Sequence, residues 1–458
     1  MVDPSSSLSR RALLGRLGLA GLSLGATACA PLARRSAPSG APPTLQLWTL
    51  DLAPRFNAYM AEVLAAWSRQ RPPGQPMDVR WTDVPWSSVE RKLLASVYAR
   101  TAPDLVNLNP LFAAGLASRG GLLDLATVLP PDAAEAYLPG VWSSGWLGRQ
   151  QFAIPWYLTT RLTMANGRLL RQAGLSAPPS SWWQVPAYAE AIRRRTGRYA
   201  LFVTVVPEDS AELLEALVQM GVRLLDDQRQ AAFLSPVGRR AFAFWTDLYR
   251  RRLLPREVVS QGYRRAIEMY QSGDLAQVAS GPDFLRNLQT NAPAIAAVTT
   301  PHPPLRGPSG HTNVAVMNLV VPRGGPLPEA AVELALFLTN GANQLRFAEA
   351  ARVLPSSRAA LEALERRLRA EKPSDAGERL VREARLLALR SLETARVLVP
   401  PTPGVKRLQT ILYTQLQRAM LGQITSHEAL ETAAREWNRY AAARWPAGAA
   451  PGGSDGSG

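Results

Sequence analysis

The sequence predicts an α/β chain of two lobes, each a mostly parallel sheet flanked by helices, followed by a helical C-terminal region. Three observations carry this. Between residues 45 and 121, short apolar runs alternate with segments whose apolar residues recur at helical spacing, the pattern of a sheet covered on both faces. Residues 152–166, FAIPWYLTTRLTMAN, then break the alternation. Phe152, Ala153 and Ile154 form a short apolar strand stopped by Pro155; the pair Trp156 and Tyr157 follows; Leu162, Thr163 and Met164 alternate again. This reads as one strand leaving a sheet and another entering a new one, a first crossing between lobes whose aromatic pair faces the space between them. Beyond about residue 340 the pattern is almost wholly helical.

The elements follow in order. Residues 45–50, LQLWTL, read as a first strand, and Phe56, Met60, Val63, Leu64 and Trp67 as one face of a helix. A strand near 79–81 precedes a helix over 87–98, and a strand over 104–108 precedes a helix closing near Gly120 and Gly121. Ligands of such sheets sit beyond the carboxyl ends of the strands, which places residues 48–51 and 107–109 at the mouth of the first lobe. After the crossing, residues 168–173 make a helix closed by Gly174. Ser181 caps the next, with Gln184 in the capping-box position. Strands are expected at 199–205, 276–279, 294–300 and 313–322, and helices near 211–220, 236–249, 265–270 and 329–338. Val405, Leu408, Ile411, Leu412, Leu416 and Met420 stripe one late helix; Thr425 and Glu428 form a capping box for the last.

A chain of 458 residues exceeds one ordinary core. At 47% apolar and 19% charged it is globular, neither disordered nor polytopic. Its net charge of +16 comes almost entirely from arginine, since lysine occurs only at 92, 372 and 406 and 52 − 3 leaves 49 arginines. These are scattered, as on a solvated surface, which argues against nucleic acid as a partner. Attraction to an anionic surface or solute remains open. The single cysteine, Cys29, follows basic Arg10, Arg11 and Arg16 and an apolar run over 17–27, the layout of a secretory signal. Ala26-Thr27-Ala28-Cys29 resembles a bacterial lipobox, whose cysteine receives lipid, and Ser9-Arg10-Arg11-Ala12-Leu13-Leu14 resembles a twin-arginine export signal. A plain cleaved signal with a chance cysteine stays open. Either reading puts the mature chain in the periplasm or at the cell surface. Residues 30–43 have the composition of a tether, and residues 446–458 have no reason to order. No later segment reaches the roughly 18 apolar residues of a membrane span.

In this order the chain resembles the bacterial extracellular solute-binding proteins that feed sugar-type ATP-binding-cassette importers, the group containing maltose-binding protein. The resemblance covers roughly residues 45–440 and rests on four pieces. Ala102-Pro103-Asp104-Leu105-Val106 with residues 116–123 is similar to a family strand and helix. Residues 148–155 with 162–170 are similar to its Tyr-Ala-Leu-Pro crossing, Phe152 replacing the tyrosine. Gly174-Leu175, Pro178 and Ser181-Trp182 match its glycine, proline and Thr-Trp helix start. Residues 318–338, 347–355 and 403–434 match the second crossing and helical C-terminus. The resemblance implies the two-lobed periplasmic-binding-protein fold, with lobes 44–156 plus 296–340 and 157–295 plus 341–441, closing by hinge motion on a sugar, polyol or sugar-like solute. It also implies a permease dimer as partner, a monomeric state and no cofactor.

A sugar needs aromatic walls for its C–H faces and polar partners for its hydroxyls. Trp48 and Asp51 follow the first strand, where the family places a polar contact loop; Asn107 and Asn109 follow the third; Trp156 and Tyr157 lie at the crossing. Each has a plainer alternative: Trp48 covering its own sheet, the asparagines as turn residues, the aromatic pair as hinge packing. After Gly281-Pro282 the family commonly has tryptophan, and here stand Asp283 and Phe284. Met317 lies where the family is glycine-rich, and Arg352-Val353 replaces Gly-Tyr. Fewer aromatics and more charge favour a small polar solute: a disaccharide, a compatible solute, or a polyol phosphate held partly by Arg161 or Arg352. Arg352 as ordinary surface charge stays open. An enzyme is not expected. His302, His311 and His427 have no ligand spacing, the GxSxG match at 21–25 lies inside the signal, and no lysine follows glycine. A glycosidic carboxylate pair and a sensor or scaffold lipoprotein of the same fold remain as alternatives.

Overall fold

The structure, a computed structural model, describes residues 42–207, 209–399 and 402–445. The expected secretory signal, Cys29, most of the expected tether and residues 446–458 lie outside the described residues. A six-stranded sheet holds the first lobe together. Its strands are β1 (Thr44–Leu50), β2 (Asp78–Val84), β3 (Leu105–Leu108), β4 (Ile154–Thr159), and two strands that return from far along the chain. Between them, β5 (Leu162–Asn166), β6 (Gln277–Ser280) and β7 (Thr299–His302) form a second, three-stranded sheet in the order β6-β5-β7. The returning strands β8 (Ala315–Val320) and β9 (Leu354–Pro355) complete the first sheet, in the order β9-β4-β8-β3-β1-β2.

β1 pairs in parallel with β2 and β3 because helices Asn57–Arg69 and Trp86–Tyr98 carry the chain back over the sheet between strands. The other pairs of these two sheets are antiparallel, so the first sheet is mixed and the second wholly antiparallel, rather than mostly parallel. The cause is the crossings: β4 and β8 run in opposite directions between the lobes, and each enters a sheet against its neighbour. The expected strand at 199–205 is extended and buried, but only its start pairs, where Tyr199 bridges Leu275 in parallel and Ala200 O accepts from Gln277 N. Residues 294–300 divide into a turn of helix, Pro293–Ala296, and the start of β7.

Two hydrophobic cores exchange at the crossings. Leu45, Leu47, Met60, Leu105, Trp156, Tyr157 and Leu334 belong to the first, while Leu158, Leu162, Met164, Trp245, Tyr270 and Leu412 belong to the second. The switch falls between Tyr157 and Leu158. The return was expected near Ala296, but Ala296, Leu305, Val314 and Val316 pack in the second core, and Met317 is the first side chain back in the first. Strand β7 explains the delay, because pairing with β5 keeps the chain in the second sheet. The C-terminal helices Val405–Met420 and Ser426–Arg444 pack on each other and on Pro236–Arg250. The whole stripe Val405, Leu408, Ile411, Leu412, Leu416 and Met420 is buried. Both capping boxes form, at Ser181 with Gln184 and at Thr425 with Glu428.

Pro155 does not stop its strand. It lies inside β4, opposite Asn318, where the register with β8 shifts between Met317 and Asn318 and Tyr157 faces Met317. Trp156 is therefore the extra residue of a β-bulge, a position in a sheet that tolerates a neighbouring proline. The bulge lets consecutive side chains reach one partner. Trp156 stacks on Phe347 at 4.9 Å between centroids, and Tyr157 meets the same ring at 5.4 Å.

Candidate functional site

Thr160 and Arg161 are the two residues that join β4 of one sheet to β5 of the other. Three adjoining cavities meet at this link. One of about 140 Å³ is lined by Thr160, Arg161, Trp182, Glu212, Glu215 and Gln277 among others. A second, of about 610 Å³, shares Arg161 and Glu215 and adds Asp209 and Tyr263. A third, of about 490 Å³, shares Thr160 and Tyr263 and is walled by Gly281, Asp283, Phe284, Arg352 and Arg385. Backbone geometry keeps this region open: β6 ends at Ser280, Gly281-Pro282 turns the chain, and helix Phe284–Asn291 begins.

Charge is concentrated at the link. Glu212 and Glu215 stand three apart on helix Glu212–Gln219 and so face the same way. Arg161 Nη1 lies 3.9 Å from Glu212 Oε2 and 3.7 Å from Glu215 Oε2, and its guanidinium sits 5.4 Å above the Tyr263 ring. Burial pushes the Glu212 carboxyl up to about 7; Arg161 pulls it back, while Glu215 and Asp209 push it further. Burial likewise raises Glu215, against Arg161 and Asn313. Burial opposes the charge on Arg161, but Glu212 and Glu215 outweigh it and hold the guanidinium above its ordinary value. Gln277 adds a buried carbonyl oxygen with no hydrogen-bond partner at the wall of the smallest cavity. Such an arrangement offers donors and acceptors to a hydroxylated molecule, with Tyr263, Phe284 and Trp182 as flat surfaces.

Of the residues singled out from sequence, the structure gathers Arg161, Gly281, Asp283, Phe284 and Arg352 around these cavities. Asp283 and Arg352 pair with each other at 2.9 Å. The others line none of the three. Trp48 is half-buried against the first core. Asp51 accepts from the backbone N–H of Trp86 at 3.0 Å and so caps a helix. Beside it, Thr49 donates to Asp83 at 2.7 Å and accepts from the Trp81 indole at 2.7 Å. Asn109 caps helix Pro110–Ala117 by accepting from Phe112 N. Asn107 is fully buried and donates to Asn318 O at 3.1 Å. Trp156 is 1% exposed, and Tyr157 and Met317 are buried beside it in the first core. Glu212, Glu215, Tyr263 and Arg385 were not singled out. Their only signal was the Glu212/Glu215 spacing at the start of a predicted helix, where acidic residues are ordinary.

A buried network fixes the link from the first lobe's side. Gln344 Oε1 accepts from Ser356 N at 2.6 Å and Ser357 N at 3.1 Å, and its Nε2 donates to Ser356 Oγ at 2.7 Å. Ser356 Oγ in turn donates to the carbonyl of Pro155 at 2.6 Å. The strand pair β4/β9 is thereby tied at the point where the chain changes lobes.

Two sheet-centred lobes, joined by strands that cross between them and carrying cavities at the crossing, are the architecture of a solute-binding protein. Among the described residues no three His, Cys, Asp or Glu side chains gather as metal ligands would. Residues 51–345, well over half of the chain, match the family described as Bacterial extracellular solute-binding protein, and the chain belongs to that family. It is 65% identical to a periplasmic-binding protein from Synechococcus sp. MITs9220, whose structure superposes with a TM-score of 0.82 over 88% of this chain and all of that one; a second structure from that organism is a zinc complex. The sugar-binding protein MalE from Xanthomonas citri shares the fold at 23% identity and a TM-score of 0.70, over 88% of this chain and 98% of that one. The diacetylchitobiose binding protein DasA of Streptomyces coelicolor is 22% identical over 179 residues, 38% of this chain; the match spans only 40% of that relative's length.

Proposed function

We propose that the chain captures a sugar or sugar-like solute at the Thr160–Arg161 link and delivers it to a permease dimer of an ATP-binding-cassette importer, without catalysing a reaction. The observation that carries this is the convergence of three cavities on the two residues joining the sheets, which would set a solute beside the crossing between the lobes. The oligosaccharide assignment of the Synechococcus relative and the diacetylchitobiose designation of DasA support a carbohydrate. Arg161, Gly281, Asp283, Phe284 and Arg352 are the proposed contacts, joined by Thr160, Glu212, Glu215 and Tyr263. A signal ending before Cys29, with lipid on that cysteine as a membrane anchor, is part of the proposal; the extracellular character of the family supports export. Solute stabilises a closed arrangement only through contacts the open one lacks, so closure is the expected signal of binding.

Titration calorimetry of the full chain against mono- and disaccharides, glucosylated polyols and glycerol phosphodiesters tests this. Saturable one-to-one binding of one class, weakened at least tenfold by Arg161→Ala, is expected. Silence across the panel from folded, ligand-free protein would sink it in favour of a sensor or scaffold.

A further inference from the structure

We infer that the cavity beside Arg385 receives an oxyanion group, so that the solute is a sugar or polyol bearing a carboxylate or a phosphate. This rests on the reading of the crossing as a sugar site. Arg385 lies on helix Ala376–Ser391 and lines the cavity of about 490 Å³. Its Nη2 is buried without a hydrogen-bond partner, and among the described residues no carboxylate lies within ion-pair distance of it. Three neighbouring arginines and one glutamate are engaged elsewhere. Arg286 makes a two-pronged pair with Glu378 at 2.5 Å on each prong, Arg382 donates to Glu371 O at 2.7 Å, and Arg352 pairs with Asp283. Glu349 pairs with Arg367 at 2.5 Å.

A guanidinium nitrogen taken out of water without an acceptor is costly, and a fold keeps one where something else completes it. Burial pushes Arg385 below its ordinary value; Glu371 and Glu349 act on it only at longer range, and Arg352 and Arg286 add to the push. Among the described residues Asp283 is the only carboxylate lining this cavity, and Arg352 neutralises it. The cavity therefore carries one net positive charge from Arg385. The planar fork of donors on a guanidinium matches the two oxygens of a carboxylate or phosphate. The rest of the wall suits the body of a sugar. Phe284 and Tyr263 offer ring faces, and Ser280 a hydroxyl. At Gly281 a Cβ would meet nothing nearer than Thr160 O at 3.8 Å, which leaves room for a ligand to approach the backbone.

The test is calorimetry on the full chain with matched probes: glucose, glucuronate and glucose 6-phosphate, then glycerol, glycerate and glycerol 3-phosphate. A charged member should bind at least tenfold tighter than its neutral parent. Arg385→Gln should lose at least tenfold for the charged probe and nothing for the neutral one, with Arg385→Lys in between. Whether the carboxylate or the phosphate member leads identifies the group. If Arg385→Gln fails to fold, Asp283→Asn serves instead, because removing the competing carboxylate frees Arg352 and should tighten the charged probe several-fold. Neutral parents binding as well as charged ones, with Arg385→Gln or Asp283→Asn without effect, would overturn the inference and leave the sugar site standing. No binding by any probe, together with silence across the wider panel of disaccharides and glucosylated polyols, would overturn both.

Discussion

At the scale of single residues, Trp156 shows how context decides a role. An aromatic next to a proline at a crossing reads equally as a sugar platform or as hinge packing. Here a β-bulge turns its ring onto Phe347, where it is 1% exposed. Trp156→Ala should therefore cost about 3–5 kcal/mol of stability, the range for emptying a buried indole site. Urea denaturation checks this; a midpoint unmoved from wild type would mean the ring is not in the core. Glu212 makes the opposite case, a charge whose value lies in its surroundings. Its carboxyl is raised from 4.5 to about 7 by burial, so between those values the folded chain holds a proton that the unfolded chain releases. Its contribution to stability is therefore present below about pH 4.5 and declines as pH rises toward 7. Glu212→Gln should lose that decline and gain on wild type between pH 5 and 8. Thermal denaturation of both proteins across that range reads the difference, and parallel curves would refute the assignment.

At the scale of elements, the helix caps are legible because their partners are close in sequence. Ser181 with Gln184 and Thr425 with Glu428 cap their helices as their spacing requires. Thr425→Ala should cost about 0.5–2 kcal/mol, measured by denaturation of an otherwise unchanged chain. The crossing depends instead on partners far apart in sequence. Gln344 satisfies two backbone N–H groups of Ser356 and Ser357 and holds the serine that grips Pro155 O. Gln344→Leu leaves those donors buried and bare, at about 1–3 kcal/mol for each group. We expect it to destabilise the chain more than Thr425→Ala, with faster hydrogen exchange concentrated at residues 154–159 and 354–357. Exchange spread evenly over the chain would argue against a local tie.

At the scale of the whole molecule, two cores share one chain that passes between them at 157–158 and 316–317, and again around 345–348. Such a body can change its lobe arrangement at few points, and solute at the link is placed to bias it. On saturating solute, small-angle scattering should show a smaller radius of gyration. The melting point should rise with concentration, by the equivalent of about 2.7 kcal/mol at a hundredfold excess over Kd. A raised melting point with an unchanged radius would support binding and exclude closure.

The α/β class, the crossing, the late helical stripe and the caps were legible in residues 45–440 because each is written locally, in spacing and in turn chemistry. Family membership was legible for the same reason, in short pieces kept in order. Sheet direction, the return to the first core at Met317 rather than near Ala296, and the Trp156 bulge were settled only by strands from distant segments pairing across the lobes. The site divides along the same line. Of the proposed contacts, Gly281, Asp283, Phe284 and Arg352 were reached through the family resemblance and Arg161 through its place at the crossing. Glu212, Glu215, Tyr263 and Arg385 are ordinary helix residues until the fold shields them from water and sets them along adjoining cavities, because burial and pairing are properties of the assembled interior and not of any stretch of chain.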